Sequence, residues 1–132
     1  MAWTTRRNKW GNKPYDSPIL NRRFHSTGEG HYGEHLFARQ QNGEISDLEF
    51  QVRWDCMVGG RRIGKRRMVI DFRYYEKSRG EIVWDDFKGE PTTEWLIKAD
   101  IWRAGGPGLL LITQKPKGKL GGYTQREIRP ND

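Results

Sequence analysis

Asp86 and Lys88 place a carboxylate and an ammonium two residues apart, inside the run VWDDFKGEPTTEW from Val83 to Trp95. On an extended strand side chains alternate between faces, so Trp84, Asp86 and Lys88 share one side while Val83, Asp85 and Phe87 share the other. A further carboxylate, Asp71, stands among Val69, Ile70 and Phe72. A carboxylate in an apolar strand costs free energy unless it is paired, hydrogen-bonded or metal-bound. A hairpin of the two stretches brings Asp71 toward Asp86, and two carboxylates about 4 Å apart repel by about 4 kcal/mol at an effective dielectric of about 20. A hard divalent cation removes that penalty, and an all-oxygen ligand set suits Mg2+ or Mn2+. Lys88 beside them either pairs structurally with Asp86 or orients a water and stabilises charge developing at phosphorus.

These residues need elements to position them. A helix is expected from the N-cap Ser26, with Glu29 three residues on as in a capping box, to the stop at Asn42-Gly43. Gly28, Gly30 and Gly33 weigh against it, at about 1 kcal/mol each relative to Ala. Leu48 to Val58 alternates Leu48, Phe50, Val52 and Trp54 with polar residues, the pattern of a half-buried strand. Gly59-Gly60 opens a turn, and Met68 to Glu76 is a second strand with Met68, Ile70, Phe72 and Tyr74 on one side. After the turn Ser78-Arg79-Gly80, Glu81 to Lys88 is a third strand. A helix from Pro91-Thr92-Thr93 presents Trp95, Leu96, Ala99 and Trp102, ends at Ala104-Gly105-Gly106-Pro107, and leads to a strand over Leu109–Thr113. The expected class is α/β (α+β): an αβββαβ core with three strands as an antiparallel meander and the last parallel to the third by a right-handed crossover. Residues 1–23, with Arg22 and Arg23 among their cations, read as a flexible basic arm that is either a tail or a segment following a phosphate backbone, 24–114 as the core and 115–132 as a basic tail.

The 132 residues carry a net charge of +7, which points to a polyanionic partner, nucleic acid before membrane. In GRRIGKRR, Arg61, Arg62, Lys65, Arg66 and Arg67 form either a phosphate clamp or a solvated loop between the first two strands. Lys115, Lys117 and Lys119 form a second basic tract, and Lys98 is a candidate phosphate contact on the second helix. A single cysteine, Cys56, rules out an internal disulfide and a Cys-based zinc finger. The N-terminal stretch has no apolar signal region and no run approaches a membrane span, so a cytoplasmic location is expected. GEGHYG at 28–33 lacks the preceding buried strand of a dinucleotide fingerprint. His31 and His35 in HYGEH could share zinc one helical turn apart, a hydrolase reading for which no third ligand is in view.

This arrangement resembles the PD-(D/E)xK nuclease superfamily, with its restriction-endonuclease-like core. More closely it is similar to short phage and prophage proteins taken to be endonucleases, through FHSTGE, NGEISDLEFQ, IDFRY, DDFKG and TTEWLIK, over roughly residues 24 to 104. Ile70 stands where that superfamily has a proline. The resemblance implies metal-dependent phosphodiester hydrolysis of DNA. Glu29 (Glu34 being the second choice), Asp71, Asp86 and the Phe87 carbonyl would hold the metal, Lys88 would serve the water or the developing charge, and Gln51 would support the site. Some relatives resolve Holliday junctions as dimers, so branched DNA and a homodimer are expectations by analogy. The rival of a different class is a non-catalytic nucleic-acid-binding protein on the same scaffold.

Overall fold

The computed structural model describes residues 13–89, 92–116, 118 and 121–131. Two short strands, β1 (Tyr15–Ser17) and β2 (Arg22–Phe24), pair antiparallel ahead of helix α1 (Thr27–Gln41). The helix begins where the sequence places it, with the Ser26 hydroxyl accepting from the Glu29 N–H at 3.1 Å. Its glycines make room for neighbours: a Cβ at Gly30 would overlap the Tyr15 ring, and one at Gly33 would press on Phe24 and Phe72. The hairpin is tied to α1 by Glu34, whose Oε2 accepts from the Tyr15 hydroxyl at 2.7 Å and the Ser17 hydroxyl at 2.6 Å. The expectation of a flexible arm over 1–23 is therefore corrected for residues 13–23, while residues 1–12 lie outside the described residues. Three-residue strands bury too little to leave an apolar pattern, which is why this hairpin reads as tail.

The main sheet has the order β3 (Ile45–Val58), β4 (Arg61–Glu76), β5 (Glu81–Lys88), β6 (Leu109–Gln114), β7 (Thr124–Ile128). Helix α2 (Thr93–Gly105) links β5 to β6, which are parallel as expected, and the other pairs are antiparallel. The fold is α+β, a mixed five-stranded sheet with two helices. Alternation along β5 and β6 sends Val83, Leu109 and Leu111 into a cluster with Tyr32 and Leu36 of α1, and Trp84, Leu110 and Ile112 into one with Trp95, Ala99 and Trp102 of α2. Each helix thus covers one face. Trp102 anchors the second cluster, edge-on to Trp54 and Trp84, and its indole N–H donates to the Gly108 carbonyl at 2.8 Å.

Three features depart from the sequence reading. The 115–132 segment is not only a tail, because Thr124–Ile128 adds the fifth strand; among its residues only Ile128 is buried, so it shows no hydrophobic run. Arg61 to Arg67 is not a loop: the turn is confined to Gly59-Gly60, and the basic residues continue β4 as a ribbon with β3. Third, the apolar residues of β3 and β4 do not keep to one side. Phe72 and Tyr74 join the α1 cluster whereas Met68 and Ile70 join the α2 cluster, and Phe50 and Val52 divide the same way. The ladder between β4 and β5 stops at Phe72–Asp85, and Gln51 on β3 has φ 52°, so both strands turn at this level.

Glu34→Ala takes the shared acceptor from the Tyr15 and Ser17 hydroxyls and so loosens the hairpin on α1. Limited trypsin digestion should then cut after Arg22 and Arg23 faster than in the parent chain. Equal cutting rates would show that Glu34 does not hold the hairpin.

Candidate active site

The carboxylates gather where β4 leaves β5. Past Phe72–Asp85, side chains take over from the backbone ladder: the Asp71 N–H donates to Asp86 Oδ1 at 3.1 Å, and the Phe87 N–H donates to Asp71 Oδ2 at 2.9 Å. Each aspartate thus accepts a backbone donor beside the other, which holds the pair close despite its repulsion. Lys88 Nζ lies 3.1 Å from Asp86 Oδ2. From the first turn of α1, Glu29 enters the same space, and the Gln51 amide bridges it to Asp71, donating to Glu29 Oε2 at 3.2 Å and Asp71 Oδ1 at 3.3 Å. Gln51 does so from the left-handed backbone region, which is uncommon for a non-glycine residue and costs of order 1 kcal/mol.

Electrostatics follow from this crowding. Burial pushes the Asp71 carboxyl well above its usual range, and the charges of Asp86 and Glu29 push it further. Glu29 is also raised, by burial first and then by Asp86, against the opposing pull of His25, Lys88 and Arg22. Burial alone would lower Lys88, but Asp86, then Asp71 and Glu29, carry its ammonium above its ordinary value. The donor set of Glu29, Asp71 and Asp86 is all oxygen and anionic, which fits a hard divalent cation such as Mg2+. Among the described residues no group of three or more His, Cys, Asp or Glu is drawn to ready ligand spacing. The Gln51 amide holds the position between Glu29 and Asp71.

Asp85 faces the other way. It is fully buried and accepts from the Tyr32 hydroxyl at 2.5 Å and the Tyr74 hydroxyl at 2.7 Å on Oδ2, and from the Thr113 hydroxyl at 2.6 Å on Oδ1. Gln125 donates to the Tyr32 and Thr113 hydroxyl oxygens. Burial raises Asp85 to about 6, with the three hydroxyl donors opposing the shift. Glu34, bound to the hairpin hydroxyls, has its place away from the carboxylates, which leaves Glu29 as the helix residue of this site.

The other sequence candidates take varied positions. A groove runs from Asp86 and Lys88 past Met68, Trp95 and Lys98. Lys98 is exposed and 3.6 Å from Glu94. Burial pushes the Cys56 thiol up, against the opposing charges of Arg66, Lys98 and Arg62. Arg61, Arg62, Lys65, Arg66 and Arg67 are exposed, and Arg62 lies 3.6 Å from Asp55. Lys115 follows Gln114, the register partner of Lys88; Lys117 and Lys119 lie outside the described residues. His31 packs edge-on to Tyr15, and His35 packs on Tyr32 and Tyr123. Arg22 and Arg23, which the sequence offers as cations of the basic arm, and His25, which it does not single out, line a second cleft with Glu29 and Gln51. The charge of the arm and its place just before the capping box were the signals available. No helix among the described residues is long and apolar enough to cross a membrane. Comparison with protein-family models, curated proteins and solved structures finds no match for the chain.

Asp85 makes a testable contribution to stability. Its folded pKa of about 6 lies above the ordinary 3.8, so its protonation stabilises the fold. That stabilisation is full below the ordinary value and is lost as pH rises through about 6, amounting to on the order of 3 kcal/mol. Thermal unfolding from pH 4 to pH 7 should therefore show a larger decline for the parent chain than for Asp85→Asn. Parallel curves would contradict the assignment.

Proposed function

We propose that the chain is a metal-dependent endodeoxyribonuclease of the PD-(D/E)xK type, and that its sheet and helices form a restriction-endonuclease-like core. The observation that carries this reading is the convergence of Glu29, Asp71 and Asp86 beside Lys88 where β4 and β5 part. Asp71, Asp86, Glu29 and the Phe87 carbonyl would hold Mg2+ or Mn2+. Bound there, such an ion supplies a water of lowered pKa and neutralises phosphate charge. Lys88 stays protonated beside Asp86 and donates to the attacking water or to charge developing on the phosphate. Gln51 keeps Glu29 and Asp71 facing one another. The groove past Lys98, the basic ribbon and Lys115 offer cations to the phosphate backbone without a base-reading element, which favours recognition of DNA shape, including branched DNA.

Incubation of plasmid, linear duplex and a four-way junction with Mg2+ or with EDTA tests the reading. Cleavage should require Mg2+, fall by about 100-fold or more in Asp71→Asn and Asp86→Asn, and persist in folded Asp85→Asn. Binding without Mg2+-dependent cleavage of any substrate would favour the non-catalytic nucleic-acid-binding protein. Independently of cleavage, Mn2+ should raise the Tm of the parent chain more than that of Asp71→Asn, because a ligand that binds only the folded state stabilises it. Equal shifts would remove Asp71 from the metal site.

A further inference from the structure

The carboxylates lie between two clefts. Asp86 and Lys88 line one with Trp95 and Lys98, while Glu29 and Gln51 line the other with Arg22, Arg23, Phe24 and His25. The second cleft is built by the β1–β2 hairpin, which Glu34 holds against α1. Arg22 is its best-defined cation. Its guanidinium lies 4.3 Å from the centre of the Phe50 ring and 5.9 Å from that of Phe24. A guanidinium placed over aromatic rings in this way is held by them and keeps N–H donors for an anion. Arg23 lies 3.7 Å from Asp16, whereas Arg22 has no carboxylate partner among the described residues. A cationic group held over aromatic rings, with no salt bridge among the described residues and close enough to the acidic centre to act on Glu29, is suited to an anion that must approach that centre.

We propose that the hairpin forms a phosphate-binding subsite in which Arg22 takes a backbone phosphate flanking the one that faces Glu29, Asp71 and Asp86. The proposal rests on the nucleic-acid reading above and gives the hairpin a role in it. A continuous strand would then run from the Lys88–Lys98 groove across the carboxylates to Arg22. Ring stacking makes arginine rather than lysine the better group here, since only the guanidinium packs flat and keeps a two-donor edge.

Binding of a fluorescein-labelled DNA duplex in EDTA, measured over a salt series, tests this directly. Arg22→Ala should weaken binding about tenfold and make the slope of log K against log salt shallower by about 0.9, the change expected for one lost phosphate contact. Arg22→Lys should keep most of the slope. Lys77→Ala, at the exposed turn between β4 and β5, should match the parent chain. An Arg22→Ala effect no larger than that of Lys77→Ala overturns the subsite. So does an unchanged salt slope with a lowered Tm, which would make Arg22 a packing residue only. The two proposals separate in a parallel Mg2+ assay. Loss of slope in Arg22→Ala with no cleavage by the parent chain keeps the subsite and removes the nuclease. Cleavage by the parent chain with binding unaltered in Arg22→Ala does the reverse, and a parent chain that neither binds nor cleaves DNA removes both.

Discussion

The buried carboxylate of Asp85 is where the fold is tied together. Hydroxyls from α1, β4 and β6 converge on it through Tyr32, Tyr74 and Thr113, and Gln125 of β7 binds two of those same hydroxyls. An ionised group without such donors would be costly in this interior, and three of them make its burial sustainable. The geometry of the acidic centre depends on this knot. Asp86 is the next residue along β5, and Glu29 precedes Tyr32 by about one turn of α1. Fixing Tyr32 to Asp85 therefore fixes how far Glu29 stands from the aspartate pair.

A second constraint opposes the first. The knot draws the layers together, while the carboxylates on the other side of β5 repel one another. The sheet accommodates them by letting β4 leave β5 and by giving the freed backbone N–H groups to Asp71 and Asp86. Gln51, in an unfavourable backbone region, supplies the amide that spans the remaining gap. Local strain and raised carboxyl pKa values thus fall at the same few residues, the pattern expected where a site is held in place by a surrounding structure more stable than itself.

Much of this was legible in the sequence. Ser26 and Glu29 mark the start of α1 because capping is local chemistry, and the alternation in VWDDFK separates Asp85 from Asp86 because β5 is central and regular. The parallel return of β6 follows from an intervening helix. What could not be read lies where burial is slight or pairing is broken. The strand TQREI sits at a sheet edge with one buried residue, and RRIGKRR is a ribbon with solvent on its cations. The split of Phe72 from Ile70 comes from strand divergence, a tertiary event that leaves no mark on periodicity. Asp85 looked idle from sequence because its three hydroxyl partners are scattered across the chain.

That scatter bears on how the molecule comes to exist. Tyr32 and Asp85 are 53 residues apart, and Tyr32 and Thr113 are 81 apart. The β3–β4 hairpin closes across two glycines and can form early, whereas a knot of such long contacts must wait for nearly the whole chain. During synthesis, Glu29, Asp71 and Asp86 all leave the ribosome before Thr113 does. The acidic centre is encoded early and assembled late, so a truncated or half-made chain carries its residues without their arrangement.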